Sequence, residues 1–586
     1  MQNRRFSVVY LKKTYRKESG RTYLVIAQKY RDPATRISTD RTIKSLGYLD
    51  ELEKDYVDPI THFKELARKM TEAENEENKI TLTINMYEQL EKDTDDRKNF
   101  GYVVILKLYH ELGLHRFFNN KARNEDFEFN SNSIMMLLVI SRLLSPGSKK
   151  KAFEERHRYF ERFDFSLMDV YRALSHYSKI SKEFQRYMHD QITEKYGLNT
   201  KIIYYDVTNF YFEIDEADEL RKYGKSKENR PNPIIQMGLA MDADGIPINY
   251  ELFPGNKLDK ETFRSVIGEV RKNYNSDRIV VVADMGIITG DNIYYLTGGK
   301  NRNGYVFSFS VRGGADDFKS YVLDNKGYVG KDGKPIPDDA EFKIKSRRIA
   351  REINVTMISG RTEKKTVYEK QVVFWAKKYA DRAKAERDEV VKKAVGLVTD
   401  PSKYNKATSY GAAKYVKNLK VDKETGEILE GTQRPCIDSD KLTEEEKYDG
   451  YYAIVTSELH MSDGEIIDTY RGLWEIEETF KVTKSTLETR PVYVSKEDRI
   501  NAHFLICFMA LVIIRLIRKK INRQFSVEKI INCLNKISCS NEQDNLYLFD
   551  YRSEISDTIG DAFGFDFTRK RARLSELKNI LANSKK

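Results

Sequence analysis

A chain of 586 residues, 40% hydrophobic and 33% charged, is long enough for several packed cores and is not disordered from end to end. Its 101 Lys and Arg against 90 Asp and Glu leave a formal charge of +11, modest for this length, so a polyanionic partner is to be sought in local clusters. The four cysteines, Cys436, Cys507, Cys533 and Cys539, form no Cys-x-x-Cys pair and stand beside no His-rich tract, which argues against both zinc and a disulfide framework.

In chain order, residues 6–50 alternate polar and apolar side chains (Val8, Tyr10; Tyr23, Val25, Ala27) and end at the turn-like Ser45-Leu46-Gly47-Tyr48. This predicts a small β-rich module over 1–56, with Arg4, Arg5, Lys12, Lys13, Arg16 and Lys17 between its apolar positions. Over 57–198 the spacing is helical, and the apolar run 134–140 sits in a helix closed by Pro146-Gly147. A helical domain is expected there. At Lys201 the texture changes, and Ile202-Ile203-Tyr204-Tyr205-Asp206-Val207-Thr208 reads as a buried strand interrupted by an acid. Two strand patterns, Pro233 to Met241 and Ile246 to Phe253, flank Asp242-Ala243-Asp244-Gly245, where Asp-Gly tolerates positive φ, so a hairpin is predicted. A helix from Asp259 to about Tyr274 leads to a second apolar strand, Arg278 to Asp284, that again ends on an acid.

Residues 199–313, with the strand-like Tyr305 to Val311 near their end, form the first part of an α/β core. Residues 314–449, rich in charge and Gly, contain strand patterns and a helix near Tyr379 to Val395, and predict a β-rich insertion domain. The core resumes over 450–522 with a strand, Gly450 to Thr456, and one long helix from Ser462 to about Glu488, stopped by Arg490-Pro491. Residues 523–586 are expected to be helical, with a basic tail Arg569-Lys570-Arg571-Ala572-Arg573. The apolar run Phe504 to Ile514 stops at Arg515, short of the roughly 20 residues that span a bilayer, and predicts a buried helix without a membrane partner. The N-terminus lacks the apolar core of a signal peptide, so a cytoplasmic protein is expected.

A carboxylate inside a strand of Ile, Tyr and Val loses hydration and must be hydrogen-bonded, paired or bound to metal. Asp206 and Asp284 both fit that description, and either alone is equally well read as a cap on the turn that follows. On adjacent parallel strands the two would meet at one sheet edge, where open α/β sheets bind ligands. A third acid lies in the helix that opens with Ser462-Asp463-Gly464-Glu465, a capping-box pattern that fixes the register. Spacings of four, three, four and three put Tyr470, Trp474, Glu477, Lys481 and Lys484 on one helical face. Such a mixture of acid, cations and aromatics suits a metal-binding acid flanked by phosphate contacts.

These segments carry a family resemblance. The chain resembles the DDE insertion-sequence transposases with an RNase H-like core, in the subgroup with a Tyr-x-x-Arg-x-x-x-Glu-x-x-x-x-x-x-Lys signature. Tyr470, Glu477 and Lys484 fall at the signature spacing, and Tyr205-Asp206-Val207-Thr208, Gly224-Lys225-Ser226-Lys227, Asp244-Gly245-Ile246-Pro247, Pro254-Gly255-Asn256, Ala283-Asp284-Met285-Gly286 and Arg490-Pro491-Val492 also match. The signature arginine is replaced by Leu473; the nearest arginine, Arg471, is expected to pair with Glu475 or to reach the same phosphate from another angle.

The resemblance implies catalytic, metal-binding carboxylates at Asp206, Asp284 and Glu477. It also implies two Mg²⁺ per site, with Mn²⁺ as a substitute, no small-molecule cofactor, and no covalent protein intermediate. Water attacks at the transposon end, and the freed 3′-hydroxyl attacks target DNA. Tyr470 and Lys484 are implied as contacts near the scissile bond, with Lys481, Arg471, Lys225 and Lys227 as further DNA-binding candidates. The partners implied are double-stranded DNA, both transposon ends and target, and a second copy of the chain in a homodimer on DNA, in a nucleoid-associated setting. The helical domain and the N-terminal module are candidates for recognising the ends. Trp375 is read as a core or interface residue before a base-stacking one, and His503 as structural before catalytic. The rival readings are a structure-selective nuclease on the same fold without strand transfer, and a catalytically silent DNA-binding protein derived from a transposase.

Overall fold

The computed structural model describes residues 9–586 except 18, 32–37, 78–86, 88, 90, 91, 93, 94, 124, 215, 225–230, 274–277, 299–301, 338, 339, 358, 401–410, 419, 422–427 and 430–434. The chain forms two compact units, one of residues 1–101 with 533–583 and one of residues 102–532 with 584–586. These divisions differ from the expected boundaries at 56/57 and 522/523, because the last segment of the chain folds with the first.

In the smaller unit, strands Val9–Arg16, Arg21–Arg31 and Ser38–Tyr48 form an antiparallel meander. Val9 and Ile26 pack against Ala67 of the helix Pro59–Glu77. Lys12 is tied to Asp40 at 2.7 Å, and the Arg16 guanidinium lies 4.6 Å from the Tyr23 ring centroid. Arg4 and Arg5 lie outside the described residues. A second sheet joins Arg571–Arg573, Leu546–Phe549, Ser538–Gln543 and Lys98–Asn99. The C-terminal region, expected to be helical, therefore contains three strands as well. Part of the basic tail is one of them, with Arg571 bound to Glu542 at 2.7 Å.

The larger unit begins with five helices: α1 (Tyr102–Glu111), α2 (Leu114–Ala122), α3 (Ser131–Leu144), α4 (Lys149–Glu154) and α5 (Leu167–Tyr196). A capping box of Ser166 and Asp169 starts α5. Then come β1 (Ile202–Tyr211), β2 (Ile234–Asp242), β3 (Pro247–Pro254), α6 (Asp259–Asn273), β4 (Val280–Ala283), α7 (Gly290–Thr297), β5 (Gly304–Phe309), α8 (Asp316–Leu323), β6 (Phe342–Thr356), β7 (Thr362–Ala376), α9 (Lys377–Thr399), α10 (Ser439–Glu446) and β8 (Tyr451–Thr456). The unit closes with α11 (Asp463–Arg471), α12 (Trp474–Lys481), a π-helical turn (Val482–Thr486) and α13 (Glu497–Lys520).

Eight strands form one mixed sheet in the order β6-β7-β8-β5-β4-β1-β2-β3. The β2–β3 hairpin turns at Asp242 to Gly245 as predicted, with Gly245 at φ +72°, a conformation that costs glycine nothing. The β1, β4 and β5 strands are parallel neighbours, buried by Ile203, Tyr205, Val281, Tyr305 and Phe307 against Phe263, Val266 and Ile267 of α6. This is the expected α/β core with a mixed sheet and flanking helices.

Two expectations change. Residues 314–449 are not a body apart from the core, because β6 and β7 lengthen its sheet: β7 pairs with β8 from Lys370↔Thr456 to Trp375↔Tyr451. Among the described residues, the stretch around Ala394, Leu397, Ala412, Tyr415 and Val416 makes a small core of its own. Nor are helices α1 to α5 a separate domain. Helix α13 is long and apolar enough to suit a membrane by composition, yet 94% of that stretch is buried. A helix apolar on all sides needs cover on all sides. Here α3 and α5 supply part of it, and Gln185 of α5 accepts a hydrogen bond from Tyr250 N at 3.0 Å on the β3 edge.

Candidate active site

The register of two strands brings the first two acids together. Parallel pairing of β1 and β4 sets Ile203 opposite Val281 and Tyr204 opposite Val282. Two residues further along stand Asp206, in the middle of β1, and Asp284, just past the end of β4, so by the period of two both leave the same face at the same level. The alternate residues Ile203, Tyr205, Val207, Val281 and Ala283 face the buried core. Asp206 is half-buried and takes its neighbour's amide, Val207 N, at 2.7 Å. Asp284 is exposed; its Oδ1 accepts from Met285 N at 2.7 Å and from the Ser308 hydroxyl at 2.6 Å. Ser308 stands beside Asp284 because β5 continues the parallel register, Ala283 opposite Phe307. Ser308 is a site residue that sequence reading missed. Its signal was the polar position between Phe307 and Phe309, facing away from the aromatic core.

The third acid arrives on a helix that is broken where an uninterrupted one was expected. Ser462 and Glu465 form the predicted capping box, with Glu465 Oε2 accepting from Ser462 N at 2.8 Å. At Gly472 and Leu473 the path tightens into i→i−3 bonds, Glu475 N to Gly472 O and Ile476 N to Leu473 O, both 3.1 Å. The cause lies on β1. The Tyr204 hydroxyl donates to Thr469 O at 3.0 Å, and a Cβ on Gly472 would overlap the Tyr204 ring. Leu473 is buried at 6% exposure, so the position of the signature arginine holds a core anchor and not a phosphate contact.

The break also decides which glutamate is available. Glu475 is buried, with Oε2 3.2 Å from Arg515 Nη1 and 3.5 Å from Arg518 Nη1. Glu478 takes the same two arginines at 3.0 and 3.4 Å. The expected Arg471–Glu475 pair is therefore absent; Arg471 sits 3.3 Å from Asp468, with both side chains more than half exposed. Arg471 also lines a groove of about 390 Å³ with Lys331, Phe342, Asp463 and Ile467. Glu477, between the two paired glutamates, is exposed and has no ion pair among the described residues.

Tyr470 connects the three acids. Its hydroxyl is held by Ser308, and its pKa is driven well above the usual tyrosine value, first by burial and then by the charges of Asp284, Glu477 and Asp206. The three carboxylates thus all bear on one phenol. They do not already form a closed ligand set: among the described residues no three His, Cys, Asp or Glu side chains stand in metal-holding geometry. Their chemistry, oxygen donors only, with Asp284 and Glu477 exposed, fits a hard divalent cation.

Lys484 lies in the π-helical turn, a feature frequent at functional sites. Its Nζ is 5.6 Å from the ring centroid of Phe210, which shares the β1 face of Tyr204 and Asp206. Lys481 is exposed at the end of α12, and Arg490 lies over the Tyr211 ring at 5.2 Å. Lys225 and Lys227 lie outside the described residues. Trp375 donates from Nε1 to Asp449 O at 3.0 Å, a structural use of its indole. Buried His503 likewise binds the backbone, at Thr489 O.

Residues 199–513, more than half of the chain, match the family model described as transposase DDE domain. Residues 11–80 match the model described as IS1634 family transposase, N-terminal domain. Among solved structures, the chain is similar to the cryo-EM structure of a piggyBac transposase synaptic complex with hairpin DNA. That likeness has 10% identity and a TM-score of 0.29 and covers 87% of this chain and 80% of that one, too distant to bear on the architecture. No curated protein matches the chain.

Proposed function

Because the chain belongs to the DDE transposase family and is a DNA transposase, we propose that Asp206, Asp284 and Glu477 carry its cleavage of transposon ends and the joining of the freed 3′-hydroxyl to target DNA. The single observation behind this reading is the convergence of the three carboxylates on the Tyr470 hydroxyl, where β4 ends beside the middle of β1. Asp206, Asp284 and Glu477 would hold divalent ions, Mg²⁺ or in its place Mn²⁺. Two such ions, when bound, supply activation of the attacking oxygen, stabilisation of the leaving oxygen and neutralisation of phosphate charge.

The protein's own groups then have separable tasks. Ser308 and the Met285 amide both hold Asp284 through its Oδ1. Tyr470, kept protonated by burial and by three negative neighbours, is a hydrogen-bond donor to a phosphate oxygen and not a base. Lys484 supplies a point charge to the phosphate beyond Asp206, and Lys481 and Arg471 meet the DNA backbone further out. A homodimer follows from the need to handle two ends in one event.

The test is to incubate the full chain with labelled transposon-end DNA, Mg²⁺ or Mn²⁺ and a target plasmid. Cleaved ends and joined product are expected, and Asp206→Asn, Asp284→Asn and Glu477→Gln should each slow both by about a thousandfold. Cleavage that survives all three substitutions would overturn the assignment. Cleavage without joined product would leave a nuclease.

A further inference from the structure

The turn that carries Lys484 leads into a run of backbone carbonyls, Leu487 to Thr489, of the kind that a helix end leaves without intrahelical donors. Buried side chains from distant parts of the larger unit take them. Arg142, on α3 and 4% exposed, donates from Nη1 to Leu487 O at 3.1 Å and to Glu488 O at 3.0 Å, and from Nη2 to Gly147 O at 2.9 Å. His503, on α13 and 2% exposed, donates from Nε2 to Thr489 O at 2.9 Å. Its Nδ1 accepts from Lys149 Nζ at 2.9 Å, which fixes the tautomer. Phe504, the next residue on α13, packs edge-on against Phe210 at 4.9 Å, and Phe210 lies under the Lys484 ammonium. Two lines of contact from α13 therefore end on one turn, the first through the backbone and the second through an aromatic ring.

This cluster is expensive as packing. Three basic side chains share a buried volume, and the groups that bear on Lys149 are Arg142 and the Cys507 thiol, neither of them a carboxylate. Burial, with Arg142 adding to it, lowers Lys149 to about 7. Apolar side chains would fill the same space without that desolvation cost. They could not donate to three successive carbonyls at the end of the helix that carries Glu477 and Lys484. Cationic and N–H donors at a helix C-terminus also offset the negative end of its dipole, which would otherwise face the phosphate that Lys484 is to bind.

We infer that Arg142 and His503 are positioning residues for DNA cleavage: they fix the Leu487–Thr489 carbonyls and, through them, the Lys484 ammonium. The inference rests on the role given above to Lys484. It is tested by a double-mutant cycle on the full chain, measuring single-turnover cleavage of end DNA in Mg²⁺, DNA affinity without metal, and circular dichroism. His503→Leu should slow cleavage on the order of tenfold, as a displaced catalytic group does, with affinity and spectrum unchanged. Arg142→Lys, which keeps the charge but cannot span both carbonyls, should lose less than Arg142→Met. In a Lys484→Ala background His503→Leu should cost almost nothing further. If His503→Leu does not fold, Arg142→Lys with Lys484→Ala closes the same cycle. Losses that multiply in the double variant would overturn the inference, because residues acting independently behave so. Wild-type cleavage by Lys484→Ala would overturn it together with the role of Lys484. An inactive wild type would instead overturn the cleavage reading itself.

Discussion

Glu475 and Glu477 stand two residues apart on one short helix in opposite chemical situations. Glu475 points into the molecule and shares Arg515 and Arg518 with Glu478. Glu477 is exposed and bears on Tyr470, with no ion pair among the described residues. The same side-chain chemistry thus does two jobs: the inner carboxylates hold α12 on α13, and the outer one bears, with Asp206 and Asp284, on the Tyr470 phenol. A carboxylate whose charge is already satisfied belongs to the scaffold. One that the fold leaves unsatisfied is available to a metal ion.

The largest expected effects test that division from the outer side. Asp206→Asn, Asp284→Asn and Glu477→Gln should each slow end cleavage by about a thousandfold, the upper scale for losing one electrostatic stabiliser. Asp284→Asn and Glu477→Gln should melt no lower than the wild type, since each removes repulsion and breaks no ion pair among the described residues. Single-turnover cleavage and thermal denaturation measured on the same samples check both halves, and a marked fall in Tm would erase the distinction.

From the inner side, Arg515→Met leaves Glu475 and Glu478 with less of their counter-charge and should cost about 3–5 kcal/mol of stability. Arg515 is 3% exposed and also binds Glu475 O and the Thr479 hydroxyl, so no rearrangement of surface groups can replace it. Urea denaturation reads the loss. Unchanged stability would show that α12 is held by apolar packing alone.

A third kind of carboxylate sharpens the contrast by titrating. Asp242 is fully buried at the hairpin turn and pushed up to about 6, chiefly by burial, although the amides of Ile246 and Asn199 favour its anion. The folded state therefore binds this proton more tightly than the unfolded chain. The resulting stability is complete below about pH 4 and is lost as pH rises through 6, about 3 kcal/mol in all. Asp242→Asn should flatten the stability profile between those values. A slope equal to the wild type's would mean that the carboxyl is ionised throughout.

Which of these groups could be read from sequence follows from how far each cause lies along the chain. Asp206 and Asp284 were legible because each interrupts an apolar strand locally, and the hairpin because Asp-Gly determines its own turn. The start of α11 was legible in Ser462 and Glu465, which satisfy one another three residues apart. The break at Gly472 and Leu473 was not, since both residues are compatible with a helix and the cause is Tyr204, 265 residues from Thr469, the residue it holds. The use of Arg142 was not legible either, its partner carbonyls lying 345 and 346 residues away. The β6–β7 pair looked like an insertion because strand pattern says nothing of which sheet a strand joins; only the pairing with β8 assigns it to the core.

Tyr204 is where the two regions meet, and it gives the smallest and most discriminating prediction. It shares the β1 face of Asp206, while burial and then the charges of Glu475 and Asp242 raise its pKa to about 12, so its hydroxyl remains a donor. Tyr204→Phe keeps the ring that fits against Gly472 and removes only the bond to Thr469 O. Stability should fall by about 1 kcal/mol, the usual net worth of one hydrogen bond. Cleavage should fall severalfold, because Thr469 precedes Tyr470 and the end of α11 would lose its tie to the strand that carries Asp206. If instead cleavage is unchanged while the 1 kcal/mol is lost, Tyr204 belongs wholly to the inner region, and the ring against Gly472 is sufficient to place Tyr470 over the acids.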